Sequence, residues 1–130
     1  MKQVFTAVLA ALGGVIAGAA GMAMAVESAA PKAYYVGNVQ EVKDTVTYRD
    51  YATKVQDTIN PFGGRFIVRG AEPVILDASR KPPGYIVVIE FPNMRNLRAW
   101  WDSPIYSGIR PIRERLTTGQ NYAVEGVPPG

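Results

Sequence analysis

The chain has 130 residues, 48% of them hydrophobic, with 14 Lys and Arg against 11 Asp and Glu, for a formal net charge of +3. It contains neither Cys nor His, which excludes a disulfide framework, a thiol or imidazole nucleophile, the common Zn and Cu sites and the usual proximal haem ligand. Mild basicity with both signs interspersed is no nucleic-acid footprint, and any acid–base work falls to Asp, Glu, Tyr or Lys.

The first stretch, MKQVFTAVLAALGGVIAGAAGMAMA, places Lys2 ahead of an apolar run that carries no charge until Glu27 and ends in Ala23-Met24-Ala25. A basic start, an Ala- and Gly-rich middle and small residues before the cut predict a secretory signal peptide over 1–25. An uncleaved anchor is the rival, since about 20 apolar residues cross a bilayer. With no Cys to receive a lipid, the expectation is a periplasmic or secreted protein that touches the membrane only before cleavage. Residues 26–32 read as a short linker, and 33–127 as one domain of ordinary size.

Within that domain, AYYVGNV predicts a strand over 33–39. Tyr48, Tyr51, Ala52, Val55 and Ile59 then recur at helical spacing, predicting a helix over 47–59 capped by Thr45 or Thr47 and stopped by Asn60-Pro61 and Gly63-Gly64. RFIVR, 65–69, is the second strand, which PVILD at 73–77 continues or follows as a short extra one. YIVVIEF, 85–91, is the most apolar strand and so belongs in the middle of the sheet. Asn93 caps a helix with Met94, Leu97 and Trp101 on its stripe. Ser103 and Pro104 open a second helix with Ile105, Ile109, Ile112 and Leu116 on one face, broken near Arg110 by Pro111. NYAVE, 121–125, is the last strand. This order predicts an α+β, ferredoxin-like β-α-β-β-α-α-β sandwich, a mostly antiparallel sheet with its helices on one face.

Strand parity groups the candidate site residues. It sets Asn38 with Tyr34 and Val36, and Glu90 with Ile86 and Val88; in the second strand it sets Arg65, Ile67 and Arg69 opposite Phe66 and Val68. Asn38, Arg69 and Glu90 would then share the sheet face away from the helices, amid apolar neighbours. Such a face needs a cover, and a second copy is the simplest one. Arg69 and Glu90 read either as a structural ion pair or as ligand-facing groups.

In AWWDSPIYSGIR, 99–110, Trp100 and Trp101 lie one step apart, so at least one is core. Asp102 and Ser103 are more simply a helix junction than an acid and a nucleophile, because no His is present to activate the serine. Tyr106 and Arg110 point off the Ile105 stripe, towards one end of a cavity between sheet and helices. Arg110 and Arg113 pair equally well with Glu114 or lie on a solvated face.

Phe62-Gly63-Gly64-Arg65-Phe66, Val68-Arg69-Gly70, Val88-Ile89-Glu90-Phe91-Pro92 and Ala99-Trp100-Trp101-Asp102-Ser103-Pro104-Ile105-Tyr106 resemble the successive motifs of the domain of unknown function 1330 family, in the dimeric α/β-barrel superfamily. The resemblance covers about residues 33–127 and implies a ferredoxin-like protomer and a homodimer formed through sheet faces. It brings Arg69, Glu90, Trp100, Asp102 and Tyr106 to motif positions. Two departures weaken any acid–base role carried over: Ile105 stands where relatives often have Glu, and Asn38 where they often have an acidic residue or His.

Two functions from different classes fit. One is a structural or stress-related exported dimer without chemistry of its own. The other is a small-molecule-binding protein or cofactor-independent enzyme, monooxygenase- or isomerase-like, using the barrel interior. Glu90 would be its base, Arg69 its anion clamp and Tyr106 its hydrogen-bond donor, with Asn38, Trp100 and Asp102 as further ligand contacts and neither cofactor nor metal.

Overall fold

Side chains alternate between the two faces of a strand, and β1 (Ala33–Val42) keeps that alternation: Ala33, Tyr35, Gly37 and Val39 are buried, whereas Tyr34, Val36 and Asn38 are half-buried. The computed structural model describes residues 30–130; the expected signal peptide, its cleavage site and most of the linker lie outside the described residues. Among the described residues no helix is long and apolar enough to cross a membrane.

Helix α1 (Thr45–Ile59) begins two residues earlier than its periodicity predicts, and its cap is Asp44 rather than Thr45 or Thr47. The Asp44 carboxylate accepts from the backbone N–H groups of Val46 and Thr47, both at 3.1 Å, and from the Thr47 hydroxyl at 2.7 Å. These bonds satisfy donors that the first helical turn leaves orphaned. Tyr51, Val55 and Ile59 form the buried stripe, with Tyr48 and Ala52 packed beside it. A 3₁₀ turn (Asn60–Phe62) ends the helix at Gly63, whose φ of 76° suits a residue without a Cβ.

β2 (Arg65–Ala71) and β3 (Tyr85–Phe91) follow. PVILD is not a strand: it belongs to the loop between them, where Val74 and Leu76 are 84% and 95% exposed. Asn93 caps α2 (Met94–Asp102) by accepting from the Asn96 N–H at 2.8 Å. Ser103 caps the single turn α3 (Pro104–Ser107), and the expected break before Pro111 separates it from α4 (Arg110–Leu116). β4 (Thr117–Glu125) leaves α4 directly and is four residues longer at its start than NYAVE suggests. A side chain at Gly119, where φ is 147°, would run into the Asn38 carbonyl, which is what lets this early part of β4 lie against β1.

The four strands form one antiparallel sheet in the order β2-β3-β1-β4. β3 is internal, as its apolarity predicts, and the helices pack on one face. This is the ferredoxin-like topology. Its core is Ala33, Tyr35, Tyr51, Val55, Ile59, Ile89, Phe91, Leu97, Trp100 and Tyr106.

One parity expectation fails. β2 pairs Phe66 with Ile89 but Val68 with Val88, so Ile67 is an extra residue in a bulge, and a second irregularity follows at Gly70, whose φ is 72°. An inserted residue shifts the phase of everything after it. Arg65 stays opposite Glu90, and Val68 opposite Val88, on the face away from the helices. Arg69, opposite Val87, turns to the helix face. Arg69 and Glu90 are therefore on opposite sides of the sheet and do not pair.

Candidate functional site

Tyr35 from β1, Tyr51 from α1 and Tyr106 from α3 each present a ring to the core and a hydroxyl that needs a partner once buried. Their hydroxyls border a cavity of about 500 Å³ between the sheet and the helices. The Tyr51 and Tyr106 hydroxyls are 2.8 Å apart; the Arg113 Nε–H donates to the Tyr106 oxygen at 3.3 Å; and the Tyr35 hydroxyl donates to Asn121 Oδ1 at 2.6 Å. Trp100 stacks on Tyr106 with ring centroids 4.2 Å apart, and its Nε1–H donates to Thr58 Oγ1 at 3.0 Å. Val39, Val55, Phe66, Val87 and Ile89 supply apolar wall.

Charge in the cavity is of one sign. Arg49, Arg69 and Arg113 line it, and none of its described lining residues is Asp or Glu. Arg49 and Arg69 are exposed, and Arg69 lies over the Phe66 ring at 4.2 Å. Arg113 is only 7% exposed, and among the described residues no carboxylate lies within 4 Å of it. Burial acts to lower its pKa, while Tyr106 and then Tyr35 raise it where they ionise; at physiological pH both are neutral phenols, and the guanidinium is protonated without a counter-charge. Burial pushes the Tyr35 and Tyr51 hydroxyls above the ordinary phenol range, with Tyr106 adding to the shift in both. They are neutral donors at physiological pH. Such a set can hold an anion or give a hydrogen bond; it has no carboxylate to abstract a proton.

The structure divides the residues singled out from the sequence. Arg69, Trp100 and Tyr106 meet at this cavity. Asn38 and Glu90 lie on the other face of the sheet. Asn38 Oδ1 accepts from the Gly84 N–H at 3.1 Å and the Gln40 side chain at 3.2 Å, tying down the loop before β3. Glu90, with its side chain 13% exposed, accepts from Arg65 Nε at 3.0 Å and has Lys32 at 3.6 Å. Burial acts to raise its pKa, but the Arg65 hydrogen bond and the Lys32 charge prevail and hold it below the ordinary value. Asp102 is exposed and borders a separate groove of about 370 Å³ beside Trp101 and Tyr122. Arg110 lies over Trp101 at 4.4 Å, with Glu114 at 3.7 Å.

Tyr35, Tyr51, Asn121 and Arg113 complete the cavity and were not among the candidate site residues of the sequence. The two tyrosines sit at core positions of their elements, where a phenol implies a buried partner. Arg113, one of three arginines in RPIRERL, carries no such signal. Among the described residues no group of three or more His, Cys, Asp or Glu could hold a metal ion.

The family described as Domain of unknown function (DUF1330) matches residues 32–127. No functionally curated protein matches the chain. Among solved structures, a protein of unknown function from Rhodopseudomonas palustris has a TM-score of 0.61 at 12% identity, covering 76% of this chain and 85% of that one. SnoaB, a cofactor-independent oxygenase from Streptomyces nogalater, has a TM-score of 0.55 at 11% identity, covering 73% and 92%. A dimeric ferredoxin-like protein of unknown function from Thermobifida fusca has a TM-score of 0.48 at 13% identity, covering 74% and 90%. For the first two, with TM-scores above 0.5, the likeness at these identities is one of fold.

Proposed function

This chain belongs to the DUF1330 family, and we propose that it is an exported, homodimeric small-molecule-binding protein whose ligand occupies the cavity between sheet and helices. The observation that carries this reading is the cavity itself. It opens to solvent past the exposed Arg49 and Arg69 and leaves about 500 Å³ bordered by Tyr51, Tyr106 and a buried guanidinium. That is the size and make-up of a ligand site, mostly apolar with a few convergent polar groups. A purely structural dimer gives no reason to keep such a space.

Binding is favoured over catalysis because Glu90, the expected base, lies across the sheet from Tyr106 and Arg113 and cannot serve as their base. The homodimer accounts for the other face. There Tyr34, Val36, Ile86 and Val88 are half-buried, and Tyr122 and Val124 are 50% and 46% exposed, with no helix over them among the described residues. A contiguous apolar face of that kind calls for a partner, and a second sheet presents the matching surface. Export rests on the leader over 1–25.

Native mass spectrometry of protein purified from its own periplasm tests the reading: a retained ligand of constant mass is expected. Ligand-free protein whose stability responds to no member of a small-molecule library would overturn it. N-terminal sequencing should begin near Val26; an intact Met1 in the membrane fraction would overturn export.

A further inference from the structure

On the reading that this cavity holds the ligand, we propose that the ligand is an apolar organic anion whose oxyanion is held by Arg113, with the hydroxyls of Tyr51 and Tyr106 as supporting donors. Arg113 is 93% removed from solvent, lines the cavity, and finds among the described residues one side-chain acceptor, the Tyr106 hydroxyl at 3.3 Å. A phenol oxygen does not neutralise a guanidinium. A buried charge left without a counter-charge is costly. An incoming carboxylate, phenolate or enolate supplies what the fold omits, and its planar oxygens match the guanidinium fork.

The rest of the cavity agrees. Tyr106 accepts from Arg113, so its own proton is free to pass to Tyr51 or to the ligand. Val39, Val55, Phe66, Val87 and Ile89 in the wall suit an apolar body rather than a sugar or a phosphate ester. Arg49 and Arg69, exposed on the lining, add positive potential that draws an anion towards the deeper cation.

The test uses the mature protein at low ionic strength and titration calorimetry with 2-naphthoate and its neutral isostere 2-naphthamide. Naphthoate should bind about 10- to 100-fold more tightly than the amide, the value of a charge-assisted hydrogen bond over a neutral one. Arg113→Met should remove that preference while leaving thermal stability unchanged or raised, because it deletes an unpaired charge. Arg113→Gln, which keeps a donor, should retain amide binding if Arg113→Met fails to fold. Equal binding of both probes to the unmodified protein would overturn the anion inference and leave the binding cavity standing. A preference that survives both variants would overturn the role of Arg113. No binding of either probe, with the protein unresponsive to a wider library, would overturn the cavity reading and the inference with it.

Discussion

The two faces of the sheet handle charge in opposite ways. On the open face Glu90 sits with Arg65 at 3.0 Å and Lys32 at 3.6 Å, and Asn38 has both of its described partners within hydrogen-bond reach. Every polar group named there is matched inside the chain, and what remains unsatisfied is apolar surface. On the covered face the apolar surface is matched, Trp100, Ile89 and Phe91 being at most 1% exposed, and what remains unsatisfied is charge, at Arg113. A face short of apolar contact suits another sheet; a face short of an anion suits a small molecule. On the proposed reading, the same strands would carry two separate recognition surfaces.

The largest expected effect tests the covered face as core. Trp100→Ala removes the ring that stacks on Tyr106 and touches Tyr35 and Phe91, and should lower unfolding free energy by about 3–5 kcal/mol in urea titration. A loss below about 1 kcal/mol would mean that the cavity collapses to fill the space and that the covered face is not rigidly packed.

Next comes the open face. Val36→Glu places a carboxylate in the middle of the apolar patch, beside its register partners Val88 and Tyr122. It should weaken dimerisation by about 100-fold or more, the effect of an unpaired charge in an interface, and leave a folded monomer by light scattering and circular dichroism. A variant that stays dimeric would put the interface elsewhere.

Tyr106→Phe should be milder. It leaves both Arg113 and the Tyr51 hydroxyl without their shared partner, at a cost of about 1–3 kcal/mol, whereas Tyr51→Phe removes a single phenol contact and should cost about 0.5–1.5 kcal/mol. Equal losses from the two variants would show that Arg113 draws nothing from Tyr106.

The smallest effects lie in the pH dependence, and the two faces should fail at opposite ends. Glu90 has its folded pKa below the ordinary 4.5, so its stabilisation is present above pH 4.5 and is lost as pH falls through the folded value. Glu90→Gln should flatten the acid limb of stability against pH. Tyr35 and Tyr51 have folded pKa values above the ordinary 10.0, so stability is intact below pH 10 and declines above it, as the unfolded phenols ionise first. Ultraviolet titration should show these two phenols ionising only with alkaline unfolding; ionisation near pH 10 in the folded protein would mean that solvent reaches these hydroxyls.

The amino-acid sequence by itself determined the order of elements, the caps at Asn93 and Ser103, the break before Pro111 and the central place of YIVVIEF, because periodicity, side-chain capping and proline sterics act over a few neighbouring residues. It also determined the shared face of Asn38 and Glu90, since unbroken strands alternate without exception. Only the tertiary structure decided the side of the sheet to which Arg69 belongs, because the bulge at Ile67 is an outcome of pairing with β3 and leaves no mark in RFIVRG beyond a glycine that also suits a turn. Only the tertiary structure, likewise, brought Tyr35, Tyr51, Tyr106 and Arg113 from four elements around one space. An arginine on a short helix looks like solvent-facing charge until the packing of the other elements removes the solvent.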